Sequence, residues 1–366
     1  MRGRTFSHCR LCGSEQMEIS EELGVCRDCL LHEEKARALA GLAHDRSRRR
    51  FGLPESPPKN GIPCGQCGND CSIPDGETGY CGIRWSHQGK VWNLVDGEAL
   101  VTAYSDPHPT NCVADWVCPG GSTAGFPRYS RSPGPEIGFA NLAVFYGACT
   151  FDCLFCQNWH FREMASSLQP RMSAESISRM VGPMTSCICF FGGDPTPFIQ
   201  HSISVAELAC EGKGIRRMCW ETNGSMSSRW ARRIGEIALE TGGCVKIDLK
   251  AFDERIHRAL CGTSNGQTMK NLEILAEMAP ERREVPLLVV STLMVPGYVN
   301  EDEVALISNR LADIDPSTPY SLLAFHPAYM MNDLPTTSRS QADACIKAAR
   351  EAGLENVKIG NEWLLR

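Results

Sequence analysis

Short apolar runs alternate with amphipathic stretches along the second half of the chain. The apolar runs, four to eight residues long, are residues 141–147, 187–191, 217–220, 244–249, 286–293 and 320–325. Runs of this length bounded by Gly, Pro or polar residues are typical of buried parallel strands. Apolar residues recur with helical spacing between them, in residues 174–180, 227–239, 269–278, 301–311 and 339–352. The pattern therefore predicts six strands alternating with helices.

Strand–helix alternation gives a parallel sheet with helices outside it. Six repeats fall short of the eight that close a full barrel, so we predict an α/β protein with a partial (β/α)6 TIM-like barrel. Three helix ends are marked by their own signals. Asn300 with Glu303 and Ser338 with Gln341 have the spacing of capping boxes, and the last helix should stop at Gly353.

The first 139 residues have a different pattern, with clustered cysteines and little helical or strand periodicity. We divide the chain into a four-cysteine module with a helix (1–50), a second cysteine-rich module with an irregular segment (51–139), and the barrel (140–366). Prolines at 54, 57 and 58 end the charged, Ala-rich helix predicted for residues 30–50. Small cysteine-rich metal-binding modules thus precede the barrel.

The overall composition excludes several classes of protein. The net charge of −6 gives no general affinity for nucleic acid. No apolar run approaches the roughly 20 residues of a membrane span, and the start of the chain has no signal-peptide core. We therefore expect a cytoplasmic protein without a nucleic-acid or membrane partner. Twenty cysteines in a reducing compartment favour metal binding over disulfides.

Two groups of four cysteines have metal-ligand spacing. Cys9, Cys12, Cys26 and Cys29 form two C-x2-C pairs separated by thirteen residues, which is typical of a structural zinc ribbon. Rubredoxin-like iron and an iron–sulfur cluster are the alternatives. The second group is Cys64, Cys67, Cys71 and Cys81, and turn-forming residues before Cys81 should fold it back onto the other three. Zinc and an auxiliary iron–sulfur cluster remain open for this group.

Cys112 and Cys118 flank the sequence Val-Ala-Asp-Trp-Val. We interpret them as buried apolar side chains, with ligation of a further cluster as the alternative.

The most informative stretch follows the first predicted strand: Cys149, Cys153 and Cys156 have the spacing C-x3-C-x2-C. Three soft thiolates on one loop suit a four-iron cluster and leave one iron open to a ligand that is not protein. A structural zinc site would need four ligands.

This stretch resembles the radical S-adenosylmethionine (SAM) superfamily, whose loop has the pattern C-x3-C-x-aromatic-C, with Phe155 here at the aromatic position. The resemblance implies that a [4Fe–4S] cluster binds SAM at its open iron. It also implies reductive cleavage of SAM to methionine and a 5′-deoxyadenosyl radical, which abstracts a hydrogen atom from the substrate.

Further candidate residues follow the next predicted strands, where working residues of parallel barrels lie. Gly192, Gly193 and Asp194 resemble the superfamily's GGE-type motif, which binds the amino group of SAM. Glu221 and Asn223 are candidates for its ribose hydroxyls, with a helix N-cap as the structural alternative for Asn223.

Asp248 and Lys250 resemble the Asp-Leu-Lys segment of glycyl-radical activases, which reaches the SAM pocket. Strand alternation places both on one face, and a buried Asp–Lys pair is costly enough to favour a catalytic and cofactor-binding role.

Among the histidines, His326 after the sixth strand is expected in the pocket as a catalytic residue. For His160 there are two interpretations: it contacts the cluster or the substrate, or it lies in a surface loop. His201 and His257, at predicted helix starts, are expected to be solvated.

From Ala140 onward the chain resembles the pyruvate formate-lyase activase-like branch, whose less characterised relatives share the segment Cys64–Cys81. Its layout also resembles the cobalamin-dependent radical SAM C-methyltransferases of methanogens, including one that methylates a glutamine of methyl-coenzyme M reductase. Both resemblances imply a protein substrate and an electron donor such as a ferredoxin or flavodoxin. We predict a peptidyl C-methyltransferase using cobalamin, with a glycyl-radical activase as the alternative. A metal-dependent sensor with an inactive barrel is the alternative from another class.

Overall fold

The computed structural model describes residues 7–16, 18–212 and 214–366. The strands are β1 (Ser7–His8), β2 (Glu15–Gln16), β3 (Ile62–Pro63), β4 (Ser72–Ile73), β5 (Arg84–His87), β6 (Lys90–Asn93), β7 (Glu98–Pro107), β8 (Ala140–Tyr146), β9 (Arg171–Ser173), β10 (Thr185–Gly192), β11 (Arg217–Thr222), β12 (Val245–Asp248), β13 (Leu288–Met294), β14 (Tyr320–Ala324) and β15 (Val357–Gly360). The helices are α1 (Arg27–His32), α2 (Glu34–Arg49), α3 (Phe161–Ser167), α4 (Ala174–Ser178), α5 (Ile199–Cys210), α6 (Ser228–Thr241), α7 (Glu254–Cys261), α8 (Gly266–Met278), α9 (Glu301–Ile314) and α10 (Arg339–Glu351).

The main sheet has the strand order β15-β14-β13-β12-β11-β10-β8-β7-β9. Strands β8 and β10 to β15 run parallel to one another and form a partial barrel with helices outside it. All six strands predicted from the apolar runs are confirmed. The α/β class and the parallel sheet are confirmed with them.

The two edges of the sheet differ from the prediction. A seventh parallel strand, β15, follows α10, while β7 pairs antiparallel with β8 and β9 pairs antiparallel with β7. The residues of β15 are all half-buried, and β7 is exposed along much of its second half. Edge strands of this kind lack the continuous apolar run that marks a buried strand.

The five helices predicted in the barrel are present, as α4, α6, α8, α9 and α10. Asn300 and Ser338 accept from the backbone N–H groups of Glu303 and Gln341, so both N-caps are confirmed. The Glu303 carboxylate does not accept from the backbone N–H of Asn300, as it would in a complete capping box. It accepts instead from the backbone N–H groups of Phe252 and Asp253. Helices α3, α5 and α7 were not predicted.

The two faces of the barrel strands have different chemistry. Outward-facing Val144, Phe190, Trp220 and Ile247 are fully buried in one core beneath the helices. Most inward-facing positions on β10, β11 and β12, with Phe191 as the exception, are instead occupied by cysteine or charged side chains, namely Cys187, Cys189, Arg217, Cys219, Glu221, Lys246 and Asp248. The inside of the barrel is therefore not a packed hydrocarbon core, which is what a closed structural barrel would have.

Residues 108–139, between β7 and β8, cross the open side of the partial barrel and are called the crossing segment below. Trp116 Nε1 donates to Ser321 Oγ on β14 at 3.1 Å, and Lys358 on β15 pairs with Asp115 at 3.2 Å. The buried carboxylate of Glu136 forms two hydrogen bonds with Arg217 on β11, at 2.8 and 2.6 Å. This segment closes the barrel interior where strands are missing.

The N-terminal cysteine module packs directly on the barrel. Ile19, Leu23 and Leu30 share a buried core with Phe151 and Tyr298 of the barrel loops. The predicted domain boundaries at residues 50 and 139 stay a prediction. Within the described residues, no helix combines the length and the apolar character needed to cross a bilayer.

Candidate active site

A cavity of about 550 Å³ lies where the parallel strands end, at their carboxyl side. The predicted residues that line it are Cys149, Cys153, Phe155, Cys156, Gly192, Gly193, Asp194, Glu221, Asn223, Asp248 and Lys250. The structure thus brings together residues that are up to a hundred positions apart in the sequence. Their convergence follows from the parallel sheet, because all its strands end at the same edge.

The cluster loop, residues 147–160, presents the three cysteines to this cavity. Cys149 and Cys153 are buried and Cys156 is half-buried. Burial raises the pKa of the Cys149 and Cys156 thiols. Cys153 Sγ and Cys261 Sγ lie 3.5 Å apart, and the hydrogen bond between them lowers the pKa of Cys153, which favours the thiolate form that ligates iron.

Asp152 anchors the cluster loop, a role that no sequence motif indicated. Its carboxylate accepts from His44 Nδ1 at 3.0 Å, Ser47 Oγ at 2.9 Å and Arg162 Nη2 at 2.7 Å. Asp152 and Arg162 are fully buried. Although burial opposes it, the hydrogen bond from His44 and the charge of Arg162 hold the pKa of the Asp152 carboxyl at about 2. The loop is therefore fixed between α2 and α3.

The glycine pair after β10 lies against the cluster loop. A Cβ atom at Gly193 would lie 2.4 Å from the carbonyl oxygen of Ala148, and one at Gly192 would lie 2.4 Å from the backbone nitrogen of Tyr146. Gly192 also has a φ of +118°, which side chains rarely adopt. Only glycine fits this close backbone approach, and both glycines line the cavity.

Asp194 and Asn223 hold the neighbouring loops together. Asp194 Oδ1 accepts from Thr222 Oγ1 at 2.7 Å and from the backbone of Asn223 at 2.8 Å. Asn223 Nδ2 donates to Thr150 Oγ1 at 2.8 Å and lies 3.8 Å from Cys149 Sγ. The helix N-cap proposed for Asn223 is wrong, since α6 begins after Ser227.

Asp248 and Lys250 form an ion pair at the wall of the cavity, next to Cys153 and Phe155. Burial opposes it, but the charges of Asp248 and Cys153 raise the pKa of Lys250. Lys250 Nζ lies 5.7 Å from the centre of the Phe155 ring. Asp248 Oδ1 is buried without a hydrogen-bond partner among the described residues, so it can accept from a bound ligand.

The histidines lie elsewhere than expected. His326 is exposed and does not line the cavity, and His160 is exposed and stacks on Trp159. His201 and His257 are buried rather than solvated. His257 packs edge-on against Phe151 and bonds the carbonyl of Thr263, and burial lowers its pKa to about 4. Helix starts can face the core, and sequence position alone does not distinguish that case.

The far wall of the cavity comes from two segments that no sequence motif marked. One is the crossing segment with Asn111 and Trp116, and the other is the end of the chain, with Asn361 and Trp363. The Trp363 side chain is 72% exposed at the rim. A large exposed aromatic at the mouth of a cavity is the type of residue that binds a partner.

The first four-cysteine group has the geometry of a single-metal site. The sulfur atoms of Cys9, Cys12, Cys26 and Cys29 all lie within 4.8 Å of one another. The pairs Cys9–Cys29 and Cys12–Cys26 are 3.6 and 3.7 Å apart. Zinc–sulfur bonds of about 2.3 Å in a tetrahedron place sulfurs about 3.8 Å apart. A metal site at this group is therefore supported, and zinc fits its dimensions.

Replacing Cys12 with serine is expected to remove about one metal ion per chain, because a structural zinc site needs four ligands. The thermal midpoint should fall as well, since metal binding contributes to folding. Elemental analysis of purified protein measures the first and anaerobic calorimetry the second. Cys210→Ser is the matched control, because Cys210 is also exposed and lies on α5. Equal metal content in both variants would contradict the assignment.

The second group, Cys64, Cys67, Cys71 and Cys81, lines one small void beside Thr150. The turn before Cys81 folds it back as predicted, and Cys64 N donates to the carbonyl of Cys71 at 2.8 Å. The module is hydrogen-bonded to the barrel loops, since Asn69 Nδ2 donates to the carbonyl oxygen of Thr150 at 2.7 Å. Which metal these thiols hold stays open between zinc and an iron–sulfur cluster.

Several known proteins are similar to parts of this chain. Residues 143–311 match the family model of the radical SAM superfamily. The chain is 25% identical over 309 residues to an uncharacterized protein of Methanocaldococcus jannaschii, covering 82% of both chains. It is 28% identical over 178 residues to pyruvate formate-lyase 1-activating enzyme of Escherichia coli, covering 47% of this chain and 67% of that enzyme. A solved domain of a pyruvate-formate lyase-activating enzyme from Bacteroides vulgatus aligns with a TM-score of 0.37 at 22% identity, over 47% of this chain and 98% of that domain.

Proposed function

We propose that this chain, which contains a radical SAM domain, is an enzyme that reductively cleaves SAM and takes a hydrogen atom from a carbon of a polypeptide substrate. The observation that carries the proposal is the convergence of three thiols, a glycine pair and an Asp–Lys ion pair on one cavity at the carboxyl ends of the strands. Each of these features has a separate chemical use there.

The residues present fit a [4Fe–4S] cluster with SAM. Cys149, Cys153 and Cys156 would ligate three irons, and the peptide groups of Gly192 and Gly193 would accept from the amino group of SAM. When bound, the cluster and SAM together supply an electron and a carbon-centred radical. The free oxygen of Asp248 would accept a hydrogen bond from SAM, while the other oxygen stays paired with Lys250.

Several features support a polypeptide as the substrate. The similarity to pyruvate formate-lyase 1-activating enzyme makes hydrogen abstraction from a partner protein the first reaction to test, with glycyl-radical activation as the leading form. Exposed Trp363 at the cavity rim supplies apolar surface for a docked chain. The cobalamin-dependent C-methyltransferase remains a second hypothesis, which the experiment below separates from the first.

The test is anaerobic purification from cells supplied with cobalamin, then incubation of the reduced protein with SAM. We expect iron and sulfide in the protein and release of 5′-deoxyadenosine and methionine. An iron-loaded protein that leaves SAM intact would instead support a sensor with an inactive barrel.

The same preparation distinguishes the two reactions. An organic radical signal in electron paramagnetic resonance on a candidate partner protein would support activation. A corrinoid absorption band, with a mass gain of one methylene on a partner peptide, would support methyl transfer. Exchange of deuterium from the partner into 5′-deoxyadenosine would demonstrate hydrogen abstraction in either case.

A further inference from the structure

A second cavity of about 370 Å³ lies deeper in the barrel, towards the amino ends of the strands. It adjoins the first cavity, with which it shares Cys112, Phe191 and Glu221. Its most unusual feature is its lining by six cysteines, none of which belongs to the three groups described above. They are Cys112, Cys118, Cys187, Cys189, Cys219 and Cys244.

These cysteines come from separate parts of the chain. Cys187 and Cys189 are on β10, Cys219 is on β11 and Cys244 precedes β12, while Cys112 and Cys118 are on the crossing segment. Interior positions of parallel barrels are usually filled by branched apolar side chains. Buried free cysteines can act as small apolar residues, but that use predicts a filled core. Here the thiols surround a space large enough for a ligand.

Lys246 places a positive charge among these sulfurs. Its side chain is 2% exposed, and its Nζ lies 3.1 Å from Cys112 Sγ, 3.0 Å from Cys189 Sγ and 3.3 Å from Glu221 Oε2. A neutral thiol is a weak acceptor for a buried ammonium. Lys246 Nζ is nevertheless within hydrogen-bonding distance of two sulfurs, and hydrogen bonds from an ammonium group would stabilise the negative charge of metal-bound thiolates.

The spacing of the sulfurs bears on the kind of metal group. Within residues 7–16, 18–212 and 214–366, only Cys9, Cys12, Cys26 and Cys29 have sulfurs close enough together for one ion. The thiols of the second cavity stand farther apart, as do Cys149, Cys153 and Cys156 on the cluster loop. In a cluster several irons lie between the ligand sulfurs, so wider spacing suits a cluster better than a single zinc ion.

Two of the six cysteines are poor candidates for ligands. Cys187 Sγ donates to Asn141 Oδ1 at 3.4 Å and therefore keeps its proton, with His108 Nε2 at 3.5 Å on its other side. Cys244 is buried inside an apolar cluster with Tyr129 and Val289, whereas Cys112 and Cys118 are only half-buried at the edge of that cluster. Four cysteines remain, which is the number that an iron–sulfur cluster takes from protein.

We propose that this second cavity holds an additional iron–sulfur cluster ligated by Cys112, Cys118, Cys189 and Cys219, with Lys246 donating hydrogen bonds to two of its ligand sulfurs. The inference goes beyond the proposed function, since it does not require that the chain cleave SAM. It places a second iron–sulfur centre against the wall of the substrate cavity.

The test compares full-length protein with the variant Cys112→Ser/Cys189→Ser, both purified anaerobically and reconstituted with iron and sulfide. We expect the variant to lose about two or four irons per chain, depending on cluster type, with matching sulfide. The control is Cys210→Ser/Cys345→Ser, whose cysteines lie on α5 and α10. Unchanged iron in Cys112→Ser/Cys189→Ser would overturn the proposal.

Two further measurements keep the test decisive. Retention of the metal at Cys9–Cys29 and of the circular dichroism spectrum demonstrates that the variant is folded. If it does not fold, the single variant Cys118→Ser takes its place, with the same expected loss of iron and the same overturning result.

Lys246→Met should lower the reduction potential of this cluster, because removing a cation and its hydrogen bonds favours the oxidised form. A purely structural lysine would leave that potential unchanged.

Discussion

Replacing Cys153 with serine is expected to reduce SAM cleavage below detection and to remove about four irons per chain. Cys153 is buried at the wall of the first cavity, and the Cys261 thiol beside it lowers its pKa. A serine hydroxyl is a harder ligand that does not ionise near neutral pH, so it cannot replace a thiolate on iron. Chromatography of 5′-deoxyadenosine measures the loss of SAM cleavage, and iron and sulfide analysis measures the loss of iron.

The controls for this prediction separate ligation from packing. Cys210→Ser tests a cysteine on the surface and should retain full iron content and activity. Cys261→Ser removes the thiol that is hydrogen-bonded to Cys153. It should retain the cluster, because Cys261 is a positioning residue rather than a ligand. Full SAM cleavage by Cys153→Ser would contradict the assignment of the cluster loop. Loss of iron from Cys261→Ser would mean that Cys261 itself ligates iron.

Replacing Asp152 with alanine is expected to destabilise the protein by about 3–5 kcal/mol, because it leaves buried Arg162 without its anionic partner. The same change removes acceptors from His44 and Ser47. The cluster loop would then lose its connection to α2 and α3, so iron retention should fall together with stability. The shift in the midpoint of anaerobic urea unfolding measures the first effect.

The lowered pKa of Asp152, about 2, gives this prediction a pH dependence. A free aspartate titrates near pH 4, so the folded state binds its proton less tightly than the unfolded state does. The carboxylate's contribution is complete above about pH 4 and is lost as the pH falls towards 2. The difference in stability between the wild type and Asp152→Ala should therefore narrow below about pH 4.

The matched control for Asp152 is Asp343→Ala. Asp343 is exposed on α10, and its replacement should change stability by no more than about 0.5 kcal/mol. Similar destabilisation by the two variants would contradict an anchoring role for Asp152. Asp152→Asn keeps the size of the side chain and removes only its charge, so a loss close to that of alanine would assign the effect to the ion pair.

The barrel strands and the cysteine groups could be predicted from the sequence alone. Six apolar runs predicted six strands, because buried parallel strands need continuous apolar residues whatever their neighbours are. The spacings C-x3-C-x2-C and C-x2-C were equally readable, since ligands on one loop or knuckle are close through the backbone alone. Asp248 and Lys250 were paired correctly for the same reason, being two residues apart at a strand end.

Contacts between residues that are distant in the sequence could be identified only in the tertiary structure. Asp152 owes its role to His44 and Arg162, which reach it from α2 and α3, and no local pattern records that contact. His326 follows a barrel strand like other cavity residues, yet the chain turns it outward to solvent. In the sequence, Cys187, Cys189, Cys219 and Cys244 were parts of apolar runs, and Cys112 and Cys118 were interpreted as buried apolar side chains with cluster ligation as the alternative. Four of these six cysteines lie on, or directly before, three neighbouring strands, and two lie on the crossing segment. Only the folded chain brings these segments together, because pairing between strands depends on long-range packing rather than on local sequence.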